Sequence, residues 1–125
     1  MAGERALLQA FEAGEIDPAA FGHRDHLRVG WAMLGPERAP FHEAYVRYRQ
    51  GLVQLTRAAG VPEKFSETQT LGWLALIHEA LDVTGERTEF SAFERRSGLN
   101  SQSLSGRYPL GRLRSGPARV GLLLP

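Results

Sequence analysis

The chain has 125 residues and no cysteine, which excludes disulfides, thiolate nucleophiles and thiolate metal sites. It also lacks any apolar run near the ~18–20 residues that span a bilayer. The opening Met1-Ala-Gly-Glu-Arg5 does not carry the basic-then-apolar signature of a secretory signal, so a cytoplasmic location is expected. No strand-type alternation, internal repeat or interdomain linker breaks the sequence. A glycine-rich phosphate loop is missing too, because Gly106 and Gly111 stand alone with no strand before them.

What is present suits one modest core. Apolar residues make up 42% and charged residues 23%, ordinary values for a globular domain. A single helical domain over 1–125 is therefore expected. The net charge of +1 is unevenly spread. Residues 1–86 hold 8 Lys/Arg against 12 Asp/Glu, whereas residues 87–125 hold 7 Arg against 2 Glu. A basic C-terminal third can contact nucleic acid or an anionic ligand, or simply dock on the acidic body. With no nucleic-acid reader motif beside the charge, nucleic acid is not the favoured partner.

Helix signals follow one another along the chain. Residues 4–13 present Leu7, Leu8 and Phe11 on one face and end at Gly14. Asp17-Pro18 pairs an N-cap with a first-position proline, starting a turn that leads to Phe21. A second helix starts near His23 and ends before Gly35-Pro36. The third, about 41–59, has Phe41, Ala44, Tyr45, Tyr48, Leu52 and Leu55 as its apolar stripe. Ser66 with Gln69 fits a capping box for a fourth helix over 66–83, apolar nearly all round. Thr88 is expected to cap a fifth over 89–96, with Phe90 and Phe93 inward. A short helix near 109–115 and an extended apolar tail complete the chain. The fold class is all-α, a bundle of four to five helices with an extended C-terminal tail that packs back across it.

The chemistry concentrates at Phe21–Leu34. On a wheel of about 100° per residue, His23 shares the inward arc with Leu27, Gly30, Trp31 and Leu34, and His26 sits at its margin. Asp25 and Arg28 face away as an i,i+3 pair. Short loops make consecutive helices antiparallel, so the helices starting near His23 and Ser66 run parallel. Glu67 then falls near both histidines, in a first turn that favours a carboxylate. His78 lies eleven residues further on, about 16 Å away, and is excluded from the same ligand shell. His23, His26 and Glu67 form the candidate site, as catalytic residues, as metal ligands or as both.

Two imidazoles and a carboxylate are a familiar set for zinc or ferrous iron. The same groups can act without metal as a general base and its orienting acid. The plain structural alternative has His23 bonding the helix start, His26 satisfying a loop carbonyl and Glu67 pairing with Lys64 or a tail arginine. Arg107 and Tyr108 are the candidate substrate-binding pair, the guanidinium offering a bidentate anion contact. These residues favour a small-molecule enzyme or a degenerate relative of one. The rival is a non-catalytic ligand-binding or protein-interaction module with a basic C-terminal surface. Oligomeric state is not encoded in any of these signals.

Phe21-Gly-His-Arg-Asp-His-Leu27 resembles a Phe-x-His-Arg-Asp-His-(Leu/Val) pattern in a group of small bacterial all-helical proteins. Lys64-Phe-Ser-Glu-Thr-Gln-Thr70 is similar to that group's second element, Lys-Tyr-His-Glu-Thr-x-Thr. Ile77-His-Glu79, Arg107-Tyr108 and Leu124-Pro125 match its later features. The resemblance spans most of the chain and implies a helical fold without attaching an activity to it. One departure stands out: Ser66 replaces a histidine of the group. If that histidine is a ligand or base there, this chain has lost it and Ser66 acts as a cap.

Overall fold

A computed structural model describes residues 2–125. Its α-helices are α1 (Ala2–Ala13), α2 (His23–Leu34), α3 (Phe41–Ala58), α4 (Glu67–Thr84), α5 (Phe90–Ser97) and α6 (Gly116–Val120). Tight 3-10 turns occupy Pro18–Ala20, Pro62–Lys64, Ser105–Arg107 and Arg112–Arg114. There is no strand among the described residues, so the fold is an all-α bundle. No helix of these residues is long and apolar enough to cross a membrane.

The helix that starts at His23 is the hub. α2 touches α1, α3, α4 and α5, which is why Val29, Trp31 and Met33 are all fully buried although they do not share one face. The sequence pattern assigns α2 an inward arc. Four neighbours turn that arc into an entire buried C-terminal half, and only the first turn stays partly open. Burying side chains of this size stabilises by roughly 1.5–3 kcal/mol each. Trp31 also needs a partner for its indole N–H, and donates it to the carbonyl of Glu86 at 2.9 Å. Phe90 and Phe93 of α5 close over the same indole, with ring centroids 5.6 and 6.3 Å away.

α1 crosses α3 where α3 has no side chain. A Cβ on Gly51 would sit 2.1 Å from Cε2 of Phe11, so glycine here lets the Phe11 ring lie on the α3 backbone. Phe11 in turn stacks on Phe21, centroids 5.7 Å apart. The N-terminal segment thus braces the residue that leads into α2.

The helix ends explain most of the connections. Asp17 accepts from the amide of Ala19 at 3.1 Å, with Pro18 in the first position of its turn. Asp25 accepts from the amide of Gly22 at 3.0 Å and so secures the start of α2. Its pairing with Arg28 exists, at 3.5 Å, but is half-buried rather than exposed, because Arg28 also reaches Glu4 of α1. Ser66 Oγ accepts from the amide of Gln69 at 3.2 Å. Gly85 ends α4 in the left-handed conformation, φ 65°, a usual helix stop.

Two expectations change. Thr88 does not cap α5: Glu89 is the N-cap and no side chain bonds its first turn, while the Glu86 carboxylate holds the turn before it, accepting from the Glu89 amide (3.1 Å) and the Thr88 hydroxyl (3.0 Å). Residues 109–115 do not form a helix, since Pro109 and the left-handed Gly111 (φ 82°) interrupt it and leave only the Arg112–Arg114 turn. The helix forms one step later as α6, capped by Ser115 and started by Pro117. With it the described residues hold six α-helices, five longer ones and this short C-terminal one.

The tail packs back as expected, but by hydrogen bonds more than by apolar contact, since Val120, Leu122 and Leu124 stay exposed. Ser66 Oγ donates to the carbonyl of Ala118 (3.3 Å) and Thr68 Oγ1 to that of Gly121 (2.6 Å). The amide of Leu123 returns a bond to Thr68 Oγ1 at 3.0 Å. The first turn of α4 is therefore where the C-terminus is fastened.

Candidate functional site

The N-terminal ends of α2 and α4 lie side by side, as the antiparallel-neighbour argument requires. Between them is a cleft of about 380 Å³, within the size range of small-molecule sites. His23 and His26 of α2 face it. α4 contributes Ser66, Gln69, Thr70 and Trp73, while Tyr48, Leu52 and Thr56 of α3 form the floor. Lys64 and Phe65, from the connection into α4, and Ser101 stand at its edge.

Each imidazole is held by an aromatic ring rather than by a hydrogen bond. His23 meets Trp73 edge-on at 4.9 Å between centroids, and His26 lies tilted against Phe21 at 4.7 Å. Tyr48 supports the turn between them by donating its hydroxyl to the His26 carbonyl at 3.3 Å. Nε2 of His23 is sequestered from solvent and has no hydrogen-bond partner among the described residues. Burial pushes the His26 imidazole down to about 4, and the adjacent His23 adds to that while Asp25 opposes it. Burial also lowers His23, against the pull of the Glu94 carboxylate. Both rings are therefore neutral at pH 7, each with one N–H donor and one acceptor nitrogen.

Glu67 does not join them. Its carboxylate turns to α3, where it accepts from the Tyr45 hydroxyl at 2.7 Å and from Arg49 Nε at 2.6 Å. The reason is the wheel: Ser66, Gln69, Thr70 and Trp73 cluster on one face of α4, and Glu67 lies about 110° round from their centre. Arg49 holds the Glu67 carboxyl below the usual carboxylate range, with the Tyr45 bond acting in the same direction. The Tyr45 phenol rises to about 12, through burial first and then Glu67. Glu67 is thus a structural ion-pair residue, and neither the third ligand nor the base proposed from the sequence.

The metal reading loses its carboxylate with it. Among the described residues no group of three His, Asp or Glu side chains is placed to hold a metal ion. The donors around the cleft are two imidazoles, hydroxyls, an amide and an ammonium, which do not fit a zinc or ferrous site of three protein ligands.

Arg107 and Tyr108 are also elsewhere. Tyr108 donates its hydroxyl to the carbonyl of Leu123 at 2.8 Å and so ties the tail. Arg107 is exposed in the Ser105–Arg107 turn, and neither residue lines the histidine cleft. His78 meets Phe41 edge-on at 5.3 Å, outside the cleft.

The residues missed from the sequence are Lys64, Gln69, Thr70 and Ser101. The i, i+3, i+4, i+7 stripe Ser66/Gln69/Thr70/Trp73 was a usable signal, since three polar residues on the apolar-facing side of a helix need a reason. Lys64 is the sole lysine of the chain. Comparison with protein-family profiles, with curated proteins and with solved structures finds no match to the chain.

Proposed function

We propose that the protein binds a small organic molecule in the cleft between α2 and α4 and acts on it by proton transfer. His23 is the proton acceptor and His26 a neutral hydrogen-bond partner. The observation that carries this reading is the pair of imidazoles, His23 and His26, lining one wall of a 380 Å³ cleft, with Nε2 of His23 buried and unpartnered. A buried polar atom left unsatisfied costs about 1–3 kcal/mol, a cost that a bound partner at the His23 ring would relieve. Gln69 and Thr70 add further donors and acceptors around the same space.

One observation favours binding without turnover. An imidazole lowered to about 4, as in His26, is a weak base at pH 7, so catalysis depends on His23. The test is a fragment screen in D₂O that follows the histidine Cε1–H signals by NMR, each hit then being incubated with the protein. The proposal expects hits that shift His23 and His26 together, and chemical change or deuterium uptake in at least one hit that His23→Gln abolishes. Hits that shift both rings without any change in the hit reduce the function to binding. The absence of any hit at these rings overturns both readings.

A further inference from the structure

A second groove of about 510 Å³ adjoins the histidine cleft, and the two share Lys64, Ser66 and Gln69 as a common wall. The far side of the groove is supplied by the C-terminal segment, through Leu113, Arg114 and Arg119. Its charged lining is three cations, Lys64, Arg114 and Arg119, against one carboxylate, Glu63. Arg119 is fixed in place by donating to the backbone carbonyl of Glu63. Lys64 and Arg114 form no ion pair among the described residues, in contrast to Arg24, Arg28, Arg47, Arg49 and Arg96. The histidine end is neutral at pH 7, so the charge preference of the combined space is set by the groove.

We propose that cleft and groove form one continuous site for a planar molecule bearing an oxyanion, phosphate or carboxylate, with the anion between Lys64 and Arg114 and the ring against His26 and Trp73. This rests on the cleft being a ligand site. Phe65 and Trp73 supply aromatic walls at the cleft end, above the buried Tyr48, which suit a flat ring. Cations in a concave groove act on an anion through less solvent than on an open surface. The basic C-terminal third of the chain thus has a local use: it delivers Arg114 and Arg119 to the groove beside the cleft.

The sole lysine makes the test direct. With ¹³C-lysine and ¹³C-histidine, the Cε signal of Lys64 reports the groove and the Cε1 signals of His23 and His26 report the cleft. The probes are phenyl phosphate, benzoate, phenol and inorganic phosphate. Phenyl phosphate, benzoate or both should shift all three reporters and bind roughly tenfold or more tighter than phenol; which of the two anions gains identifies the group. The double substitution Lys64→Gln with Arg114→Gln, at exposed side chains, should remove that gain, so that within the variant the anions bind no tighter than phenol. Phenol binding as tightly as both anions while shifting the histidines overturns the proposal and leaves the cleft reading standing. Inorganic phosphate shifting Lys64 with no aromatic probe reaching the histidines overturns the continuous site, and the cleft reading falls with it.

Discussion

Acidification should destabilise the fold through His26 well before its carboxylates protonate. In the unfolded chain this histidine takes up a proton near 6.5; in the fold it does so only near 4. Between those values the unfolded state binds more protons, so stability falls as pH falls and levels off below about 4. The full effect is about 3 kcal/mol, at about 1.4 kcal/mol per pH unit of difference. Between pH 7 and 5 the expected loss is about 2 kcal/mol. His23 is lowered too and adds with the same sign just below 6.5. Glu67 acts in a separate window: held down by Arg49, its contribution is present above its ordinary value of 4.5 and is lost only below that. Urea unfolding at pH 7, 6 and 5 reads the slope. Wild type should lose those 2 kcal/mol or slightly more, and His26→Gln, neutral throughout, should lose most of that dependence whatever its stability at pH 7. Equal slopes in the two proteins would refute the burial argument.

The same structure makes three further predictions. Gly51→Ala places a methyl against the Phe11 ring and should cost about 1–3 kcal/mol; pairing it with Phe11→Leu should recover part of this in a double-mutant cycle, and full additivity would mean the helices part elsewhere. Ser66→Ala removes both the Gln69 cap and the bond to Ala118, which should cost about 0.5–2 kcal/mol. Amide exchange over residues 116–123 should quicken in that variant, and unchanged exchange there would show that the tail is fastened by other contacts. Glu67→Gln should cost about 1 kcal/mol by thermal unfolding, since its partner Arg49 is 44% exposed and exposed pairs contribute little; the His26 signals should stay where they are, and a shift of them would return Glu67 to the site.

The parts of this fold that were legible in the sequence are those fixed by local chemistry. Ser66 and Gln69 announced a cap, Gly85 a stop, and the run from Phe21 to Leu34 a central helix. The parallel placement of α2 and α4 followed from loop lengths, and it correctly brought the histidines to the start of α4. The error was rotational. A rise-based argument puts Glu67 at the right height, but only the orientation of α4 decides its azimuth. Arg49 and Tyr45 on α3 draw the carboxylate away from the histidines. The tail could be expected to pack but not where, because its anchors are backbone carbonyls of Ala118 and Gly121 that any residue would present. Lys64 was dismissed as a pairing partner; its place at the joint of two cavities comes from the Pro62–Lys64 turn, which carries no signature of a site.

The central claim is that His23, His26 and Trp73 face a common ligand space at the start of α4. Intermolecular NOEs from bound phenyl phosphate test it most directly. The account predicts contacts from the phenyl protons to the Cε1–H of His26, the indole of Trp73 and the methyl of Thr70, all lost when His26→Gln and Trp73→Leu are combined. Contacts confined to the Tyr45–Glu67 face, or a bound phenyl ring with none to α2, would contradict it.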